Sequence, residues 1–274
     1  MSTDRARAAA PRIGALIPIR LASERLPGKA LRELGGRPVV HHLLDRLFAS
    51  RHLSPERVVV CTTEDASDDA LVPAVESLGA RVFRGSRDDL VDRLWRAIEA
   101  EGFDAVIEVD GDDPFVDVTF IDRALDALLA DREADVVLTE GLPLGMGSKA
   151  LRRGAVERIW GLHRSERNDT GFMYYFTRTG LCRVARVEAS PAERHETARV
   201  TLDYPEDLAF FEAVWRELSP TNPRFGAREL SGLLANRPDL LAINGGLSER
   251  YWARTKELAK LEYEVDGKRY TVEV

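Results

Sequence analysis

Short apolar runs alternate along this chain with longer segments whose apolar positions recur at helical spacing. The first run, Ile13 to Ile19, is interrupted by Gly14 and Pro18 and reads as a buried parallel strand. Pro38 opens an amphipathic helix with Val39, Val40, Leu43, Leu44, Leu47 and Phe48 on one face. Arg57 to Thr62 reads as a second strand, rich in Val and Thr. Asp65 to Leu78 reads as a helix stopped by Gly79, and Ala80 to Arg84 as a third strand. Gly85-Ser86 precedes a helix carrying Leu90, Leu94, Trp95 and Ile98. The fourth strand is Ala105 to Val109, a helix follows from Asp117 to Leu129, and Ala134 to Thr139 is a further strand. This alternation predicts an α/β fold built on a doubly wound, mostly parallel sheet.

From Gly141 the rhythm loosens. Pro143, Gly145 and Gly147 mark a loop, and Arg153 to His163 reads as a helix. Phe172 to Phe176, Leu181 to Val187 and Ala198 to Leu202 read as strands, the last ending at Asp203. Pro205 starts a helix reaching Leu218, and Ser219 to Pro223 is a connector to a helical tail. Asp266-Gly267 is a hairpin turn between Leu261–Val265 and Arg269–Glu273. A lone hairpin is marginal in water, so this one must dock on its own domain or on another subunit.

Composition narrows the class. An apolar fraction of 44% over 274 residues supports a sizeable core, and the net charge of −7 argues against general nucleic-acid binding. Cys61 and Cys182 lack metal-like spacing and read as thiols in a reducing compartment. The tail, residues 1 to 11, has no signal-peptide core and reads as disordered. No apolar run approaches the roughly 18 residues of a membrane span, so the expectation is a soluble, cytoplasmic protein.

Three strand ends carry candidate chemistry. After the first strand comes Arg20-Leu21-Ala22-Ser23-Glu24-Arg25-Leu26-Pro27-Gly28-Lys29. Its cations suit a polyphosphate, because ligands of open α/β sheets sit at the carboxyl edge of the strands. A solvated basic loop is the alternative, and the stretch lacks Walker A spacing. Asp110-Gly111-Asp112-Asp113-Pro114 follows the fourth strand and suits Mg²⁺ held between carboxylates and phosphate oxygens, or else a polar turn capping the next helix. Asp203 is either a second metal ligand or a helix N-cap.

These stretches resemble the sugar cytidylyltransferases, among them CMP-Kdo and CMP-acylneuraminate synthetases and spore-coat polysaccharide cytidylyltransferase-like proteins. Arg20, Ser23 and Arg25-Leu26-Pro27-Gly28-Lys29, then Leu34-Gly35-Gly36-Arg37-Pro38, look like the opening signature. Gly111-Asp112-Asp113-Pro114 resembles the Gly-Asp-x-Pro metal motif, and Leu202-Asp203-Tyr204-Pro205-Glu206-Asp207-Leu208 the Val-Asp-Thr-Pro-Glu-Asp-Leu signature. Phe83 to Arg93 is closest to the spore-coat branch, and the resemblance runs from about Ile13 to Leu218.

The resemblance implies a Rossmann-like, GT-A-like nucleotidyltransferase domain over residues 12–218. The fold would include a small subregion for dimerisation or substrate, while residues 219–274, with the tail after Thr221 outside the resemblance, read as a helical and hairpin extension. It implies that Arg20, Ser23, Arg25 and Lys29 hold the CTP phosphates, that Thr62 helps frame the base, and that Asp92-Arg93 lies near the nucleotide, where Arg93 equally suits a structural ion pair. Asp112 and Asp203 would bind Mg²⁺, and Lys29, Arg25 and the two aspartates would be the catalytic set. Lys149 and Asn168 stand where the spore-coat branch tends to have Glu and His. With Arg152 and Arg153, Lys149 would make the acceptor region cationic, suited to an anionic sugar or phosphonate acceptor, unless these residues face solvent. Tyr174 and Tyr175 would line the same pocket, unless these neighbouring aromatics belong to the core. A homodimer is also implied. The competing enzyme reading is a glycosyltransferase using a nucleotide-sugar donor, since Asp110-Gly111-Asp112 is also an Asp-x-Asp motif; a catalytically idle nucleotide-binding scaffold is the other.

Overall fold

The structure is a computed structural model that describes residues 10–273, so the tail expected over residues 1–11 lies outside the described residues except for its last two positions. The chain runs β1 (Ile13–Pro18), β2 (Glu33–Leu34), β3 (Arg37–Pro38), α1 (Val39–Leu47), β4 (Val58–Thr63), α2 (Leu71–Glu76) and β5 (Arg81–Gly85). It continues through α3 (Leu90–Glu101), β6 (Ala105–Glu108), α4 (Val118–Ala130), β7 (Val136–Glu140), β8 (Lys149–Arg152) and α5 (Arg153–Leu162). There follow α6 (Tyr174–Thr177), β9 (Val184–Glu188), α7 (Pro205–Leu218), α8 (Ala227–Asn236), α9 (Pro238–Asn244), α10 (Ser248–Leu258), β10 (Glu262–Val265) and β11 (Lys268–Thr271).

Seven strands form one sheet in the order β5-β4-β1-β6-β8-β7-β9. β1 pairs in parallel with both β4 and β6, and β8 runs antiparallel between β6 and β7. The sheet is therefore mostly parallel, as the alternating pattern predicts. Its strands are apolar on both faces because helices cover both. Leu43, Leu44, Leu125 and Leu128 pack on one side; Leu94, Trp95, Ala155 and Ile159 pack on the other. The chain builds outward from β1 through β4 to β5, then returns to β6 on the opposite flank of β1. That reversal opens a crevice at the carboxyl ends of β1 and β6, the place where such sheets take ligands. A Cβ on Gly111 would lie 2.2 Å from Ile19 Cγ1 and 2.7 Å from the Pro18 carbonyl oxygen, so glycine lets the two strand-end loops touch.

The structure corrects four expected elements. Residues 198–202 are not a sheet strand. They run beside the loop after β7, with the Val200 amide donating to the Leu144 carbonyl at 2.7 Å and the Leu202 amide to that of Asp112 at 2.8 Å. Gly145, at φ +93°, admits this neighbour: a Cβ there would stand 2.1 Å from the Val200 carbonyl oxygen. The run is apolar because Val200 and Leu202 pack with Phe115, Phe210 and Phe211, not because it joins the sheet. Phe172 to Phe176 is likewise not a strand but a turn leading into α6, with Phe172, Tyr175 and Phe176 buried at helical spacing. Finally, Lys149 to Arg152 is the antiparallel strand β8 rather than a loop and helix start. The helix expected over Asp65 to Leu78 is shortened to a 3-10 turn and α2.

The terminal hairpin docks on its own domain. The Tyr175 hydroxyl donates to the Glu262 carbonyl at 3.0 Å, and Leu261 and Val272 join the core beneath α5. Cys61 is buried, Cys182 is half-buried, and both are free thiols. Among the described residues, no helix is long and apolar enough to cross a membrane.

His163 finds a partner that its sequence position hides. Its Nε2 stands 2.8 Å from Asp89, the residue whose side chain caps α3 by accepting from the Asp92 amide at 2.9 Å. Burial alone would lower the imidazole pKa, but the Asp89 carboxylate raises it above the ordinary 6.5. The opposed burial and hydrogen-bond effects leave Asp89 below its ordinary 3.8. The raised His163 pKa gives a stabilisation that is full below pH 6.5 and lost as pH rises through the raised value. The depressed Asp89 pKa gives one present above 3.8 and lost as pH falls through the depressed value. Thermal midpoints of the wild type and His163→Gln should differ most in mildly acid buffer and converge at alkaline pH. A constant difference across that range would show that the pair does not titrate as a unit.

Candidate active site

Two of the open alternatives resolve on capping. α4 is capped by Asp117, which accepts from the Thr119 amide at 2.8 Å, so the Asp110–Asp113 turn is not needed for that task. At α7 the capping carboxylate is Asp207, which accepts from the amides of Asp203 and Tyr204, each at 2.9 Å. Asp203 is thereby left free to point into the crevice.

There the distant strand ends meet. Lys29 Nζ donates to Asp112 Oδ2 at 2.6 Å and to Asp203 Oδ1 at 3.0 Å. Arg25 also donates to Asp203 Oδ1, and Arg199 reaches Asp203 Oδ2 at 2.7 Å. Gly28, with φ +68°, turns the chain so that Lys29 enters a 3-10 turn facing the carboxylates. Burial would lower the Lys29 pKa, but Asp112 and Asp203 outweigh it and hold the ammonium above its ordinary value. Burial raises Asp112, with the repulsion of Asp203 and Asp110 adding to it against Lys29. Burial works the same way on Asp203, yet Lys29 and Arg25 overcome it and keep this carboxyl below the usual range. The pair is thus asymmetric: Asp203 is firmly ionised, whereas Asp112 is the carboxylate whose charge depends on its neighbours.

A cleft of about 450 Å³ surrounds this cluster and contains most of the sequence-predicted residues. Arg20, Ser23, Arg25, Lys29, Arg93, Asp112, Lys149, Tyr174 and Asp203 all line it. Arg20 pairs with Asp169 at 2.5 Å. Arg93 is almost fully buried and donates to the Ser86 carbonyl, and its Nε has no partner. It makes no ion pair among the described residues, so the structural ion pair weighed for it is not formed. Lys149 is not a spare cation: its Nζ lies 2.5 Å from Asp110 and 3.0 Å from Glu108. Burial pushes Glu108 up to about 8, while Lys149 opposes the rise.

Three predicted residues lie elsewhere. Thr62 is fully buried and its hydroxyl donates to Asp68, which in turn accepts from the Leu21 amide at 2.7 Å. It supports the basic loop from behind rather than framing a ligand. Asp92 sits on the outward side of α3, accepting from the Trp160 indole at 2.8 Å. Asn168 is buried, its side-chain oxygen accepting from the amides of Leu90 at 2.7 Å and Val91 at 3.1 Å. It fastens the cleft loop to the start of α3. Arg152 and Arg153 also leave the acceptor region, Arg152 binding backbone carbonyls such as that of Ala134 and Arg153 lying over the Trp95 ring.

Other contributors escape the sequence reading altogether. Tyr251, Trp252, Arg254 and Leu258 of α10 form one wall of the cleft. Burial raises the Tyr251 phenol, and the charges of Asp112, Asp110, Asp203 and Asp113 add to that rise. Their sequence shows only a helix in a tail, with no signal of where that helix folds back.

Comparisons with known proteins place the chain in a family. A family model described as Cytidylyltransferase matches residues 14–216. A spore coat polysaccharide biosynthesis protein of Bacillus subtilis is 31% identical over 229 residues, covering 82% of this chain and 94% of its own. A 3-deoxy-manno-octulosonate cytidylyltransferase of Geobacter sulfurreducens is 40% identical over 97 residues, 35% of this chain and 36% of its own. A solved cytidylyltransferase from Leptospira borgpetersenii superposes with a TM-score of 0.77 at 25% identity, covering 84% of this chain and 97% of that one. The matched range holds both aspartates and the lysine that joins them, and this chain belongs to the cytidylyltransferase family.

Proposed function

We propose that this protein transfers CMP from CTP to an acceptor oxygen on a sugar acid or a related anionic molecule, with release of pyrophosphate. The observation that carries this reading is the convergence of Asp112 and Asp203, from separate strand ends, on the single ammonium of Lys29. The acceptor oxygen forms a bond to the α-phosphorus of CTP. The bond from that phosphorus to the bridging oxygen breaks, its electron pair leaves with pyrophosphate, and the acceptor proton, if it has one, passes to water. Lys29 and Arg25 offset the charge gathering on the departing group, and Arg20 and Arg93 steady the rest of the nucleotide. Such transfer at phosphorus needs positioning and neutralisation rather than a covalent enzyme intermediate.

Mg²⁺ is part of the proposal. Two carboxylate oxygens already share one cation here, so Asp112 and Asp203 fit a divalent ion completed by water and phosphate oxygens. Among the described residues no third acidic, His or Cys ligand joins them, which suits Mg²⁺ better than Zn²⁺. When bound, the ion would neutralise phosphate charge and lower the pKa of a coordinated acceptor hydroxyl. A homodimer and a cytoplasmic location remain part of this reading, although the hairpin docked on its own domain no longer argues for a second subunit.

The test is a pyrophosphate-release screen of the four nucleoside triphosphates with Mg²⁺ against sugar acids, aminated sugars and phosphonates. CTP-dependent release with an acidic acceptor is expected. Release of a nucleoside diphosphate from a sugar donor would instead favour the glycosyltransferase reading. Metal-dependent CTP binding without turnover would favour the scaffold.

A further inference from the structure

Helix α10 comes from beyond the range that the family model spans, yet it forms a wall of the cleft. Tyr251 anchors it. The Arg199 guanidinium lies 4.6 Å from the Tyr251 ring centroid, and the same guanidinium holds Asp203 and Asp207. Arg254 reaches across the mouth to Glu24 of the basic loop at 2.5 Å. Trp252 packs edge-on against Tyr251, with centroids 5.0 Å apart, and remains 50% exposed. Among the described residues three large apolar side chains are exposed, Trp252 at 50%, Tyr270 at 44% and Leu258 at 40%, and two of them, Trp252 and Leu258, face the cleft. Apolar surface left uncovered at the rim of a polar site marks a place where a ligand completes the burial.

We propose that α10 is the acceptor-selecting wall, with the Trp252 indole stacking on the apolar face of a sugar-type ring. This rests on the cytidylyltransferase reading above. The cations suited to the nucleotide, Arg20, Arg25, Lys29 and Arg93, all lie within the range matched by the family model, which is where a shared substrate is read. An element from outside that range answers to what differs between members, the acceptor. Its position agrees, because Tyr251 seats the helix beside Asp203, where acceptor and α-phosphate must meet. Its chemistry agrees as well. Arg254 is engaged by Glu24, and Lys149 by Glu108 and Asp110, so this side offers an aromatic plane rather than a spare charge. A pyranose presents C–H bonds on its face and hydroxyls at its rim, which suits an indole flanked by polar groups.

The experiment uses the full chain with Trp252→Ala and Trp252→Phe. Pyrophosphate release is followed with 3-deoxy-manno-octulosonate, a neutral hexose, an aminated hexose and a phosphonate. For the sugar turned over, Trp252→Ala should raise the acceptor KM about tenfold, leave the CTP KM within about twofold, and be largely rescued by Trp252→Phe. An equal rise in the CTP KM overturns the proposal, because the indole then stacks on the base. An unchanged acceptor KM overturns it too. Calorimetric titration with CTP and Mg²⁺ tests the underlying reading separately. Should no sugar be turned over, tryptophan emission is titrated with the same compounds in wild type and Trp252→Phe. A sugar-dependent change present only in the wild type supports the wall, and its absence overturns it.

Discussion

Asp112→Asn should lower turnover by about a hundredfold to a thousandfold, the usual effect of removing one preorganised charged group from a reaction centre. The amide keeps the shape of the carboxylate but not its charge, so it cannot neutralise a divalent ion. Folding should survive. Lys29 keeps its contact to Asp203, and the lost carboxylate is one that burial and the neighbouring Asp110 and Asp203 already disfavour. The thermal midpoint should therefore stay within a few degrees of wild type, corresponding to about 1 kcal/mol or less. Pyrophosphate release and scanning calorimetry on the same preparation check both halves. Wild-type turnover in this variant would defeat the proposed mechanism.

Lys29→Met has the second large expected effect, and it separates the two roles of the ammonium. The loss of a positive charge beside the leaving group should reduce kcat/KM for CTP by about a hundredfold or more. The variant should also respond more strongly to metal. In the wild type the ammonium stands between Asp112 and Asp203, so a divalent ion bound there as proposed would have to displace it. Without it, the two carboxylates would bind the ion free of that competition. Added Mg²⁺ should then raise the thermal midpoint more in Lys29→Met than in wild type, since binding to the native state stabilises it in proportion to affinity. Equal upshifts would show that Lys29 does not compete with the metal.

The candidate site is legible in the sequence because an α/β chain places functional side chains at the carboxyl ends of its strands. Lys29, Asp112 and Arg25 follow directly from strands that the apolar pattern identifies. The sequence points to Asp203 for a partly mistaken reason: the segment before it is not a sheet strand, though it delivers the side chain to the same edge. An apolar run reports burial, and whether its amides pair with a sheet or with a loop is decided by distant residues such as Gly145. Thr62 misled for a related reason. The end of a strand can lie at the ligand or one layer beneath it, and Asp68 makes the difference here. Asn168 was legible only as a polar residue in a loop, because its partners are the amides of α3, far away in sequence. Tyr251 and Trp252 were out of reach altogether. Their helix is evident, but the direction in which it returns is set by contacts with Arg199 and Glu24.

The double duty of Arg199 limits how this protein can be re-engineered. One guanidinium both holds the Asp203 carboxylate and provides the seat on which the carboxy-terminal helix rests. Transplanting that helix from a relative to change substrate preference would therefore disturb the chemistry unless the residues beneath it were exchanged as a matched set.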